Sequence, residues 1–204
     1  MWCKSFNWLR MFLFVSCFLM GCKNFEPLRS SDESLSIKRV ETYLNNANGF
    51  KGNFKQIWPN GNISLGEITY LPGKLKLTYN YPSAMIAVAK ENHIVAKDYS
   101  NQSMTRIGLK HNPLGLMLNT PVRLHKPILV TSLKHFSTLL QISLASSDNP
   151  SQGLLTLRFL DNGKNLDLIQ MQAVDARKHL TVLNINDIQY NPKLSSNFFS
   201  YPQP

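Results

Sequence analysis

The sequence predicts an α+β chain, mostly β, in which about 10–11 antiparallel strands curl into a barrel or half-barrel, with a few short helical segments laid against it. Three observations carry this. From Phe50 onward, apolar residues recur with a period of two, the mark of strands with one buried face. Turn signals such as Pro59-Asn60-Gly61, Pro72-Gly73 and Asp161-Asn162-Gly163 punctuate these runs, which suits hairpins and short connections rather than crossovers. Helical periodicity is confined to one stretch near the start and to brief pieces later. The chain has 204 residues, of which 43% are hydrophobic; that is enough for one domain with a real core and tight for two.

The elements follow in order. Lys4 and Arg10 precede an apolar run from Met11 to Met20, too short to span a bilayer comfortably and typical of a signal segment. It ends in Leu19-Met20-Gly21-Cys22, which resembles a lipobox, so residues 1–21 are expected to be removed and Cys22 lipidated. A plain secretory signal cut nearby and an uncleaved anchor are the alternatives. All three cysteines, Cys3, Cys17 and Cys22, lie in this segment, so the mature chain has no internal disulfide. Residues 22–32 have no period and read as a tether; a single domain is expected over 33–204. Ser30 and Glu33 have capping-box spacing. Ile37, Val40, Tyr43, Leu44 and Ala47 then recur at helical intervals, and Asn48-Gly49 ends the helix.

The first strand runs from Phe50 to Trp58, with Phe50, Phe54 and Trp58 on one face. Its partner is Asn62 to Leu71, with Ile63, Leu65 and Leu71 on one side. After Pro72-Gly73 comes the cleanest alternation in the chain: Leu75, Leu77, Tyr79 and Tyr81 point one way, Lys74, Lys76, Thr78 and Asn80 the other. Ala84 to Ala89 is continuously apolar and reads as buried on both faces. Strands over His93–Tyr99 and Ser103–Leu109 complete a meander. Between residues 110 and 127 the rhythm breaks. Pro113-Leu114-Gly115-Leu116-Met117-Leu118 is apolar and fenced by Pro113 and Pro121, a short helix or irregular flap. Leu133 to Ala145 is ambiguous: Leu133, Phe136 and Leu140 favour a helical start, whereas Gln141 to Ala145 alternates. Strands Leu154–Leu160 and Leu166–Val174 flank a hairpin turn, and Leu180 to Tyr190 is the last strand. The tail from Asn191 is rich in Ser, Asn and Pro, with Phe198, Phe199 and Tyr201 embedded.

Reactive chemistry has no visible framework. There is no nucleophile elbow, P-loop, Gly-x-Gly-x-x-Gly or His-Glu-x-x-His. The histidines His93, His111, His125, His135 and His179 lack metal-ligand spacing, and Asp161 and Asp167 read as turn residues. We expect no enzyme activity, no metal and no cofactor. The formal net charge of +10 suits an anionic membrane surface or acidic partners. The cations are scattered and lack the aromatic-and-basic pattern of a nucleic-acid module, so no nucleic acid is expected as partner. Pattern alone leaves two readings of the greasy strand faces: a packed core, or a concave apolar interior roofed by the short helices.

A resemblance favours the second. Val40 to Asn46 (V-E-T-Y-L-N-N), Gly49 to Gln56 (G-F-K-G-N-F-K-Q) and Gly66 to Pro82 (G-E-I-T-Y-L-P-G-K-L-K-L-T-Y-N-Y-P) resemble the outer-membrane lipoprotein carrier protein family, LolA. The close of the chain, Phe198-Phe199-Ser200-Tyr201-Pro202, resembles the family's Phe-x-Phe-x-x-Pro ending. The resemblance implies an antiparallel half-barrel covered by a helical lid, with an apolar cavity between. It implies a periplasmic chaperone that takes lipoproteins from an inner-membrane ABC transporter, shields their acyl chains, and delivers them to an outer-membrane receptor or the outer membrane itself. Such a carrier is expected to be a monomer in a Gram-negative bacterium. The implied cavity draws on Phe54 and Trp58, on Leu75, Leu77 and Tyr79, on Met85 and Ile86, and on Leu116, Met117 and Leu118 of the lid.

Two departures stand out. The family carries arginine before the proline of its R-P-G motif, where it helps hold the lid shut; this chain has Leu71, so lid control is expected to differ. Carriers of this family are usually soluble, whereas Cys22 implies a lipid anchor. An anchored member would resemble the receptor at the end of the route, or combine both roles. The same fold could instead hold a free lipid for envelope maintenance. Lys23 after Cys22 leans toward the outer membrane.

Overall fold

The computed structural model describes residues 31–203. The signal segment, the lipobox with Cys22, and the tether up to Ser30 lie outside the described residues. The first helix, α1, spans Ser31–Leu44, so it begins inside the stretch expected to be tether. Asp32 and Glu33 occupy its first turn, where acidic groups face the positive end of the helix dipole. Val40 and Leu44, one turn apart, are fully buried.

Eleven strands follow in one sheet. They are β1 (Phe50–Ile57), β2 (Ile63–Leu71), β3 (Lys74–Tyr81), β4 (Met85–Lys90), β5 (His93–Asp98) and β6 (Ser103–Gly108), then β7 (Ile128–Phe136), β8 (Leu139–Ser146), β9 (Leu154–Asp161), β10 (Leu166–Val174) and β11 (Leu180–Tyr190). Between β6 and β7 lie a 3-10 turn at Leu109–His111 and a one-turn helix, α2, at Gly115–Leu118. The order is β6-β5-β4-β3-β2-β1-β11-β10-β9-β8-β7, and every pairing is antiparallel. Two meanders therefore meet where β1 pairs with β11, and the sheet stays open, with β6 and β7 as its edges. α1 and α2 cover one face, which we call the inner face. The segment between the edges supplies the roof.

The register settles two readings that the sequence left open and corrects a third. On β2, Ile63, Leu65 and Leu71 do share a side, but it is the outer one, with Ile63 and Leu65 about two-fifths exposed. The inner side carries Ser64, Gly66, Ile68 and Tyr70, all buried. The inner side has the fewer apolar residues because it is partly built of small ones that let Phe54 lie across Gly66. Leu133–Ala145 contains no helix; it is the β7–β8 hairpin, turning at Ser137 with φ 52°. Leu133 sits opposite Ile142 and His135 opposite Leu140, so the helix-like spacing of Leu133, Phe136 and Leu140 joins residues of opposite faces. The correction concerns Ile86, expected to line the interior. It pairs with Thr78 and Lys97, whereas Met85 pairs with Tyr79. Neighbours in a strand point opposite ways, so Ile86 belongs to the outer face and not to the interior.

The tail expected to be irregular lies along the outer face of β3–β5. Lys76 Nζ donates to the Phe198 carbonyl at 3.2 Å and stands 4.3 Å from the Phe198 ring centre. Tyr201 donates its hydroxyl proton to the Lys90 carbonyl, and Lys97 Nζ donates to the Gln203 carbonyl. Val88, Val95 and Phe199 are buried on this side, which explains why Ala84–Ala89 reads as apolar on both faces.

Candidate functional site

The inner face of β1–β3 carries an aromatic and aliphatic floor. Phe54 on β1 meets Tyr79 on β3 edge-on, with ring centres 5.0 Å apart, and Trp58 stacks on Tyr79 at 6.3 Å. Such ring pairs add about 0.5–1.5 kcal/mol each beyond the area they bury. Leu75 and Leu77 continue the row along β3, and both are buried. Met85 is half-buried against the same cluster. Leu116, Met117 and Leu118 of α2, all at most 5% exposed, belong to the same buried cluster, and α2 meets β8 and, through the Tyr70 hydroxyl, β2. Nine of the ten residues expected to line an interior thus lie in this cluster or are packed against it; Ile86 does not. In this conformation the interior is closed and its side chains touch one another.

Its polar atoms are all accounted for. The Trp58 indole N–H donates to Ser64 Oγ at 2.9 Å, and the Tyr79 hydroxyl donates to Gln56 Oε1 at 2.7 Å. Burial pushes the Tyr79 phenol well above its usual range, so it remains a neutral donor. Among the described residues no buried side-chain nitrogen or oxygen lacks a hydrogen-bond partner. The interior therefore makes no unmet polar demand; it offers contact to hydrocarbon rather than recognition of a polar ligand. Among the described residues no group of His, Cys, Asp or Glu could hold a metal ion.

The roof is held by residues that the sequence patterns did not single out. Asn45, just past α1, clasps Val122 from both sides: its Nδ2 donates to the Val122 carbonyl at 2.9 Å, and its Oδ1 accepts the Val122 N–H at 2.8 Å. Glu41 Oε1 accepts the Leu124 N–H at 2.6 Å. Tyr70 reaches up from β2 between α1 and the roof: its hydroxyl donates to the Leu44 carbonyl at 2.7 Å and lies 3.5 Å from the Met117 carbonyl. On the far side, Gln152 Nε2 donates to the Leu109 carbonyl at 3.0 Å. Gly115 starts α2 so close to this point that a Cβ there would lie 2.4 Å from the Leu109 oxygen. The β2–β3 turn also supports the roof: Gly73, at φ +76°, lies against the Thr120 side chain. Leu71 makes no such link; its side chain lies over Gly49. Glu41 and Asn45 do fall within the Val40–Asn46 stretch that carries the family resemblance, but nothing local says what they bind.

α1 itself is pinned at its other flank. Arg39 donates two parallel hydrogen bonds to Asp161, each 2.7 Å. The Arg39 guanidinium holds the Asp161 carboxyl down at about 2. Asp161 also accepts the Gly163 N–H, so its expected role in the turn is present, joined to one that only the folded chain reveals.

The chain is similar to known proteins. The sequence model of the outer membrane lipoprotein carrier protein LolA matches residues 45–202. No curated protein matches the sequence. Among solved structures, an uncharacterized conserved protein from Thermus thermophilus aligns at 11% identity over 84% of this chain and 95% of that one, with a TM-score of 0.49. A LolA superfamily protein from Nitrosomonas europaea aligns at 10% identity over 82% and 96%, with a TM-score of 0.46. The lipoprotein LppX of Mycobacterium tuberculosis aligns at 12% identity over 81% and 99%, with a TM-score of 0.41.

Proposed function

Since this chain belongs to the outer membrane lipoprotein carrier protein (LolA) family, a periplasmic family of Gram-negative bacteria that suggests lipid or lipoprotein binding, we propose that it carries lipoproteins from the inner to the outer membrane. In this reading their acyl chains enter between the β1–β4 floor and the α2 roof. The inner-membrane ABC transporter loads them, and an outer-membrane receptor or the membrane itself unloads them. No bond is made or broken, so the protein acts as a chaperone and not as an enzyme. It works as one domain behind a removed signal segment.

The observation that supports this most is a hydrocarbon-only interior closed by a small roof on a few hydrogen bonds. Freeing the roof from α1 breaks the two bonds of Asn45 and the one of Glu41, roughly 3 kcal/mol in all, and bares the buried side chains of Leu116, Met117 and Leu118, which the entering chain covers again. Enclosing a chain of about a dozen methylenes returns roughly 10 kcal/mol. Cargo therefore stabilises an open roof, and the empty protein closes on itself. Asn45→Ala should lower the opening cost by about 1–2 kcal/mol and speed uptake of a fluorescent fatty-acid probe about five- to thirtyfold. Leu77→Asp, placing a charge on the floor, should abolish uptake in a chain that still shows the native near-ultraviolet spectrum. A wild-type protein that takes up no acyl probe, or a depleted cell whose lipoproteins still reach the outer membrane, would refute the proposal.

A further inference from the structure

The outer face of the sheet carries an ordered surface that the interior does not explain. Following direct cross-strand partners from β7 to β11, Leu129, Ala145, Leu154, Val174 and Leu180 form one unbroken rung. Alternation along the strands puts all five outward, and Leu129 and Leu180 are 38% and 45% exposed. The next outward rung mixes Ser143, Thr156 and Gln172 with Val182, Ile57 and Ile63. The third is basic and amide-rich: Lys134, Gln141, Arg158, Gln170, Asn184 and Lys55 follow one another across six strands.

Charge says what this surface fits. No carboxylate stands on any of the three rungs. Arg158 donates to two neutral amides, Gln141 and Gln170, and among the described residues Lys55, Lys134 and Arg158 form no ion pair. Beyond the apolar rung, the β10–β11 turn adds exposed Arg177 and Lys178. Its one acid, Asp175, is engaged by His179 at 3.2 Å. Successive outward rungs are about 7 Å apart, so hydrocarbon and cations are separated by roughly 13 Å along the strands. A face lying along an anionic bilayer, with its apolar rung against the upper acyl methylenes and cations on either side of it level with the headgroups, has this layout.

We propose that the outer face of β7–β11, continued onto β1, is a docking surface for an anionic phospholipid bilayer. The face lies along the membrane, and the Lys55–Lys134–Arg158 rung on one side of the apolar rung and Arg177 and Lys178 on the other read its phosphates. It goes beyond acyl-chain shielding, since it uses the opposite face of the sheet. The test uses the full chain with Cys3, Cys17 and Cys22 replaced by serine and one cysteine introduced for an environment-sensitive dye. In Leu154→Cys the dye should move to an apolar environment with vesicles containing phosphatidylglycerol and stay wet with phosphatidylcholine alone. In Asn101→Cys, in the β5–β6 turn at the other edge, it should stay wet throughout. Lys55→Gln with Lys134→Gln should weaken vesicle binding on the order of tenfold while acyl-probe uptake is unchanged. A Leu154→Cys dye that ignores anionic vesicles, or responds equally to neutral ones, overturns the proposal. So does a shift without vesicles that grows with protein concentration, which would assign the face to a second copy of the chain.

Discussion

Asp161 shows how much one side chain decides. Its carboxylate closes the β9–β10 turn through Gly163 and anchors α1 through Arg39, and it is only 9% exposed. A carboxyl whose folded pKa lies below its unfolded value of 3.8 stabilises the fold above that value. The contribution fades as pH falls from about 4 through about 2. Allowing for solvent at the partly exposed Arg39, it amounts to about 1–2 kcal/mol. Asp161→Asn should therefore lower stability by that amount at pH 7 in urea denaturation. The wild-type and variant curves should converge at pH 2. A constant gap down to pH 2 would mean that the pair contributes through packing and not charge.

At the scale of elements, the tail is the unexpected one. Residues 198–203 have no regular structure, yet they seal the outer face of β3–β5 through backbone carbonyls and ring contacts with Lys76, Lys90 and Lys97. Val88 is fully buried beneath them. Removing residues 196–204 should expose Val88, Val95 and the outer edge of β4, costing about 2–4 kcal/mol in thermal or chemical unfolding. Hydrogen exchange should rise first in β4 and β5, and β9–β11 should stay protected. Uniform loss of protection would instead make the tail part of a single cooperative unit. The β7–β8 hairpin illustrates the opposite case. Its turn lacks a Gly or Pro signal, so nothing local announced it, and pairing with β9 on one side fixed it as a strand pair.

For the whole molecule, an open sheet with a roof between its edges divides the labour between two faces. The inner face is fit to enclose hydrocarbon, and the outer face of β7–β11 presents an apolar rung beside a basic one. The lipid anchor expected at Cys22 is separable from both. On that expectation Cys22→Ser should release the protein from the membrane fraction to the periplasmic extract, because losing an acyl chain forfeits roughly 0.8 kcal/mol for each methylene. Retention in the membrane after washing at high salt would point to an uncleaved apolar segment instead.

The fold class and most of the elements were legible in the residues alone. Period-two alternation and turn residues are local signals, and they placed β1, β3, β9, β10 and β11 within a residue or two. The family motifs, from Val40 to Pro82, identified the fold that these elements build. Packing in the folded chain was needed to show which face of β2 is buried, that Ile86 points away from the interior, and that Leu133–Ala145 is a hairpin. It was needed too to tie the roof to Asn45, Glu41 and Gln152, and α1 to Asp161. The reason is physical. A strand's period says that two faces differ, but which is buried depends on what packs over each. A hydrogen bond between Asn45 and Val122 joins residues 77 positions apart, and no local pattern encodes a partner at that distance.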